Sequence, residues 1–479
     1  MADNLTAVIR WLKVIKSTLH WFLRWVSVEI VDKIVVGRYV VTLDSFNRVI
    51  PKGAIAIKDG VVVDVGEYND VRNRYRADEV IERLNHIIMP GLVDCHVHTQ
   101  QYLLRSAITD EMLQLPPIWT RVLVPFENMM SLQLARISTQ ASIVNMLRNG
   151  ITYFIEAGAP YPEILTEEVA RSGVKGVITY ATYNVLEDRS WDAKEVLKKA
   201  EVLYREWNSR NNVRIWMSIR QVMMASEDLV ERVIEFAKKF NTGLTLHLAE
   251  YQGEVDYILT KYGKRPLEHL LEKELKSIKP VVIAHGVFLS PREIEIVKKF
   301  NLGICWCPTV DSWLMGIHWV CLKDVDNMVI GIGSDGGAWN RLDLLHEAKV
   351  AKAIAKAVNN AVMYYKAGLD SQTLLDMLAG SRGVITGERI GRLEKGYSAD
   401  LIVLNIKYVG NLPLHNPIDL VVNYLEGDSV SDVIIDGKFV VKEGKVLTID
   451  EEKIVEEVLN RENEVEKILN ELMRNLKLS

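Results

Sequence analysis

Leu92-Val93-Asp94-Cys95-His96-Val97-His98 is an apolar run that ends in two histidines one residue apart. Alternate residues of a strand point to the same side, so both imidazoles face one way at the carboxyl end of the run. Seven more runs follow: ITYFIEA (151–157), VKGVITYAT (174–182), VRIWMSIR (213–220), GLTLHLA (243–249), VVIAHG (281–286), LGICWC (302–307) and MVIGIGSD (328–335). Each is short and rich in β-branched and apolar residues, as strands buried on both faces are. Helical patterns such as 131–148 and 229–240 separate most of them. Eight such strands alternating with helices predict an α/β chain with a (β/α)8 TIM-type barrel over about 89–388. Only the link from 308 to 326 shows no clear helical pattern.

Outward from this middle, both flanks read as β structure. Residues 34–41, 54–58 and 61–65 suit short strands, with Asp59-Gly60 as a hairpin turn. A second β-rich stretch covers 399–405 and 432–441, with a turn at Asp436-Gly437. The expectation is a small β-sandwich domain formed from both chain ends, residues 29–88 and 389–449. A C-terminal helix is expected over 450–479, where apolar residues recur at helical spacing among charges.

Residues 1–28 read as an amphipathic helix. Arg10, Lys13, Lys16, His20 and Arg24 share one face, and Ile9, Leu12, Trp21, Phe22 and Trp25 the other. The segment is too charged to span a membrane and lacks the cleavage site of a secretory signal. Docking on this protein or a twin subunit is favoured over membrane-surface contact or a misplaced start codon.

The 479 residues suffice for a large barrel and a smaller partner domain. A net charge of −5 offers no basic stripe for nucleic acid. Cys95, Cys305, Cys307 and Cys321 make no disulfide framework, which points to the reducing cytoplasm. Cys305 and Cys307 read as buried strand residues.

His247 ends the fifth run, His285 the sixth and Asp335 the eighth. With His96 and His98, they gather at one mouth if the strands form a barrel, where active sites of such barrels lie. His96, His98, His247 and Asp335 suit one borderline divalent ion, Zn2+ before Fe2+, and an open position would make that site catalytic. Glu250, three residues past His247, is either a proton shuttle above the mouth or a solvated loop carboxylate. His318 and Trp119 fall in loops near the mouth, where they could touch substrate or serve packing.

The segments MPGLVDCHVHTQ, LHLAE, AHGVFLSPREIEI, GIGSDGG and IGRLEKGYSADLIVLN together resemble the amidohydrolase superfamily. The similar branch holds cytosine, guanine and methylthioadenosine/S-adenosylhomocysteine deaminases and triazine hydrolases. The resemblance implies that His96, His98, His247 and Asp335 bind the ion and that Asp335 also takes a proton from the attacking water. It implies that His285 hydrogen-bonds the water and the tetrahedral centre, and that Glu250 protonates the substrate ring. Ser218-Ile219-Arg220-Gln221 lacks the lysine of binuclear branches, so one ion is expected.

Three departures alter the substrate wall. Ile118 precedes Trp119 where the nucleoside deaminases carry an acid, Ile219-Arg220 replaces a Pro-His pair, and Cys307-Pro308-Thr309-Val310-Asp311 replaces Asn-Pro-x-Ser-Asn. Trp119, Arg220, Glu250 and His318 are therefore the candidate substrate contacts. The implied activity is deamination of an amino-substituted N-heterocycle such as a purine, nucleoside, pyrimidine or pterin. The alternatives are triazine-type displacement of halide or alkylamine, or a non-catalytic barrel scaffold. The resemblance further implies a homo-oligomer.

Overall fold

The apolar runs fold as parallel strands in two sheets. Leu92–His98, Ile151–Glu156, Lys175–Ile178 and Val213–Ile215 pair in chain order, and Asp335–Gly336 adds beside Leu92–His98. Met217–Ile219, Leu244–Leu248, Val281–His285, Gly303–Trp306 and Val329–Ile332 form the second sheet. The fourth and eighth runs each contribute to both. Trp216 interrupts the fourth, and its N–H donates to the Ile178 carbonyl at 3.2 Å. Gly333 and Ser334 interrupt the eighth, and the Gly333 N–H donates to the Trp306 carbonyl at 2.9 Å. The strands are buried on both faces, which is why they read as unbroken apolar stretches.

This computed structural model describes residues 28–113, 118–186, 189–321, 325, 327–363 and 369–476. Residues 1–27 of the expected amphipathic segment lie outside it. Helices Leu132–Arg148, Pro162–Ser172, Ala193–Trp207, Glu227–Phe240, Pro291–Phe300 and Leu344–Met363 alternate with the strands. The architecture is a TIM-barrel-type α/β fold. Helix starts follow local chemistry: Ser290 and Glu293 form a reciprocal capping box, with Pro291 in the first turn. The link from 308 to 326 contains helix Pro308–Leu314 and a 3-10 turn Trp319–Cys321. Both are too short to show periodicity in sequence.

The two chain ends share one nine-stranded sheet. Gly53–Lys58 and Val61–Glu67 form the expected hairpin, with Asp59 and Gly60 both at positive φ (51° and 75°). Asp436-Gly437 repeats this between Val430–Ile435 and Lys438–Lys442. The strand that joins the ends is Tyr75–Pro90, parallel to Glu29–Val41 and antiparallel to Leu401–Asn405. Sequence reading missed it because exposed Arg76, Asp78, Glu79 and Glu82 break its apolar pattern. Lys175, at the start of the third parallel strand, bonds Asp400 at 2.8 Å and Asp436 at 2.6 Å, tying this sheet to the parallel one.

The tail forms two helices, Glu451–Asn460 and Glu462–Leu476, rather than one. Ile468 and Leu472 of the second are buried in the same apolar cluster as Ile118, Trp119, Val122 and Phe126. All four cysteines are free and buried. Among the described residues no helix is long and apolar enough to cross a membrane.

Candidate active site

Every chemical residue at the mouth sits at or just past a strand end. His96 and His98 close the first strand, His247 lies in the fifth, His285 ends the sixth and Asp335 begins the last short strand. The chain turns left-handed at Ala249 (φ 48°), His285 (62°) and Asp335 (62°). For residues with a Cβ this conformation costs roughly 1–2 kcal/mol each, and the packed strands hold it. Asp94 braces the arrangement from below. Its carboxylate accepts from the His96 N–H (3.2 Å), the Ser334 N–H (3.1 Å) and the Ser334 hydroxyl (2.6 Å), fixing His96 against Asp335.

The imidazoles converge. His98 Nε2 lies 3.2 Å from His247 Nε2, and Asp335 Oδ1 is 3.4 Å from His96 Nε2 and 3.5 Å from His98 Nε2. Burial, then the charge of Arg220 on His98 and of neighbouring imidazoles on His247, hold both pKa values well below the usual histidine range. Burial also lowers His96, against the Asp335 bond. Burial opposes ionisation of Asp335, yet the His96 bond and the charges of His285 and Arg220 keep its pKa below the carboxylate norm. Neutral imidazoles beside an ionised carboxylate are the donor set a divalent cation needs. Nδ1 of His96, His98 and His247 is in each case buried without a hydrogen-bond partner. His96, His98 and His247 bring ligand atoms within 4.8 Å of one another, as do His96, His285 and Asp335. The residues present fit a metal ion.

His285 is held differently. Its Nδ1 lies 2.7 Å from Asp311 Oδ1, and its Nε2 faces Glu250 Oε1 at 3.9 Å. Burial disfavours its charge, but the carboxylates of Glu250 and Asp311 outweigh that and push its pKa well above the usual value. Glu250 accepts from Gln221 Nε2 at 2.8 Å, and burial raises its pKa to about 7. His318 does not line the site, contrary to expectation. Its Nε2 donates to the His285 carbonyl at 2.7 Å, so it supports the strand end from behind.

The cavity beside this cluster is lined by polar Gln101, Arg220, Gln221 and Glu250 and by apolar Ile118, Trp119, Leu123, Leu314 and Trp339. Trp119 and Trp339 both line it, whereas Trp306 is core and Trp313 is exposed. No lysine lines the cavity among the described residues. A wider polar cleft lies at the opposite strand ends, but its Lys175 and Arg214 are spent on Asp400, Asp436 and Glu388.

Sequence reading missed Glu127, Gln101 and Gln221. Glu127 is buried on helix Val124–Met129, and Gln101 Nε2 and Arg220 Nη2 donate to its Oε1 at 2.7 and 2.9 Å. The available signal was a lone acid within the apolar stretch 122–130.

Parallel strands that deliver three imidazoles and a carboxylate to one mouth define a TIM-barrel-type metallohydrolase centre. Residues 87–440 match the amidohydrolase family, and the chain belongs to it. It is 30% identical over 431 residues to a 5-methylthioadenosine/S-adenosylhomocysteine deaminase of Bacillus cereus, covering 88% of this chain and 96% of that protein. Its fold is similar to a zinc-bound adenosine deaminase of Xanthomonas campestris, with a TM-score of 0.84, 24% identity and coverage of 92% and 99%. A zinc complex of atrazine chlorohydrolase from Arthrobacter aurescens gives a TM-score of 0.76 at 19% identity, with coverage of 90% and 100%.

Proposed function

We propose that this protein is a metal-dependent aminohydrolase that replaces the amino group of a nitrogen heterocycle by a carbonyl. One observation carries the reading. Glu250, His285 and Asp335 converge beside three neutral histidines, and Glu250 has a pKa of about 7, suited to giving and taking a proton at neutral pH. The deaminase name of the Bacillus relative supports it. The two parallel sheets share their fourth and eighth strands, which supports a closed eight-stranded barrel, and the nine-stranded sheet supports the flanking β domain at 29–88 and 389–449.

In this reading His96, His98, His247 and Asp335 hold one divalent ion, Zn2+ being the best match. Such an ion lowers the pKa of water to about 7 and so supplies a nucleophile at neutral pH. Asp335 accepts a proton from the attacking water. Oxygen adds to the ring carbon that bears the amine, and Glu250 protonates the adjacent ring nitrogen as its electron pair arrives. His285, held charged by Asp311, donates toward the new tetrahedral centre. Asp335 then passes its proton to the amine, the C–N bond breaks and ammonia leaves, and the new hydroxyl returns a proton to Glu250 as the carbonyl forms.

In this reading Trp119 and Trp339, which both line the cavity, pack against a flat ring. Arg220 supplies N–H donors. Gln101 supplies an acceptor: a carboxylate only accepts, so its amide nitrogen faces Glu127 and its Oε1, which has no protein partner, turns away. Donor beside acceptor favours a ring edge with a carbonyl next to an N–H, as in oxopurines, oxopyrimidines and pterins. Four free, buried cysteines support a cytoplasmic location, and a homo-oligomer is the expected assembly.

The test is ammonia release from aminopurines, their nucleosides, aminopyrimidines, pterins and triazines by zinc-loaded protein. Glu250→Gln and Asp335→Ala serve as controls, with halide release measured in parallel on chlorotriazines. Ammonia release that needs both residues supports the reading. Halide release without ammonia would replace it with the triazine-type displacement.

A further inference from the structure

We infer that Glu127 is a positioning residue for substrate selection: it orients Arg220 and Gln101 as a donor–acceptor pair that reads the carbonyl–N–H edge of the ring. The inference rests on the substrate cavity described above and adds the group that organises it. Glu127 touches neither the metal ligands nor the reacting atoms and acts only through its two partners.

The geometry makes one carboxylate responsible for both. Glu127 Oε1 receives Arg220 Nη2 at 2.9 Å and Gln101 Nε2 at 2.7 Å. Arg220 Nη1 donates to the Gly158 carbonyl at 2.7 Å. Both members of the Arg220–Glu127 pair have side chains 4% exposed, so water cannot stand in for either partner. A guanidinium carries five N–H groups and never accepts. With two bonds made inside the protein, it still faces the cavity as a donor.

Gln101 is the more sensitive partner. Its amide could present either end to the cavity, and only an acceptor-only neighbour forces the oxygen inward. A glutamine at 127 would lift that constraint. Its own NH2 could donate to Gln101 Oε1, turning the Gln101 NH2 toward the ring and leaving two donors where a donor and an acceptor stood. The carboxylate also neutralises a buried cation that sits close to the metal ligands, and the apolar cluster around Phe126 holds its helix in place.

The experiment compares 2-amino-6-oxopurine with 2-aminopurine, which lacks the carbonyl–N–H edge. Equilibrium binding is measured by calorimetry on zinc-loaded Glu250→Gln protein, so that turnover is not needed. The parent should prefer the oxo compound by roughly 10- to 100-fold, the range of a charged hydrogen bond plus a neutral one. Adding Glu127→Gln should shrink that preference to within roughly threefold at unchanged zinc content, and Glu127→Asp should restore part of it. If Glu127→Gln fails to fold, Glu127→Asp carries the test: it keeps the charge but draws the carboxylate back from Arg220 and Gln101, and should by itself reduce the preference. No preference in the parent, no binding of either purine, or a preference that survives undiminished in these variants overturns the inference. Ammonia release separates it from the functional proposal. A binding preference that depends on Glu127 without ammonia release from any amine sinks only the deaminase reading. Release without such dependence sinks only the role of Glu127.

Discussion

Replacing Glu250 by glutamine removes a titratable proton and one of the two carboxylates that favour the charged form of His285. The side chain is nearly isosteric, it can still accept the bond from Gln221 Nε2, and it keeps its place 3.9 Å from His285 Nε2. In the proposed mechanism what it loses is the ability to protonate the substrate ring. General acid catalysis contributes about 10²- to 10⁴-fold, or about 3–5 kcal/mol of barrier. The expected result is therefore a fall in kcat of at least about 100-fold, with zinc content and KM little changed. The pH profile adds an independent sign. In the proposed mechanism the active form of Glu250 is protonated, and burial raises its pKa to about 7. The rate should fall about tenfold per pH unit above that value, as Glu250 loses its proton. The glutamine variant should lose this limb. Ammonia release at saturating substrate from pH 5.5 to 9 measures both effects. A variant that keeps more than about a tenth of wild-type kcat, or still shows the limb near pH 7, would refute the role of Glu250.

His247→Ala or Asp335→Ala should abolish stoichiometric zinc by elemental analysis, and a chelator should lower the Tm of the wild type but not of the variants. Zinc at 100 times its Kd stabilises a fold by about 2.7 kcal/mol, so equal Tm with and without chelator would argue against a site here. Arg220→Met should cost about 3–5 kcal/mol in denaturant melts by leaving Glu127 buried beside an apolar side chain. Adding Glu127→Gln should recover most of it, and a double variant as unstable as the single would count against the pair. Gly243→Ala places a Cβ 2.4 Å from Cδ2 and Cε2 of the buried Trp216 ring. Overpacking of this kind costs about 1–3 kcal/mol, and a thermal melt indistinguishable from wild type would show that the ring has room to move.

The parallel strands were legible because each is buried on both faces and therefore continuously apolar. The His96–His98 pair was legible because a period of two is a local property of an extended chain. The same locality made Asp59-Gly60 and Asp436-Gly437 readable as turns, since both positions need positive φ. Tyr75–Pro90 was not legible. Exposed charges at Arg76, Asp78, Glu79 and Glu82 break its pattern, and it is a strand because Glu29–Val41 and Leu401–Asn405 offer it hydrogen bonds from far along the chain. His318 was read as a substrate contact from its position in a loop, yet that loop folds back and spends its imidazole on the His285 carbonyl.

The sequence by itself determined the class of centre: which residues end buried strands, and hence which imidazoles and carboxylates can meet at one mouth. Burial of a polar residue at a strand end is costly without a partner or a function, so those residues stand out in a single chain. Only the tertiary structure decided the partners. Glu127 and Arg220 are 93 residues apart, and Glu250 and His285 meet only across neighbouring strands. Which carboxylate stays ionised, which histidine stays charged and which end of Gln101 faces the cavity depend on those contacts. They are set by distances of a few ångströms in a low-dielectric interior, to which the order of residues along the chain is blind.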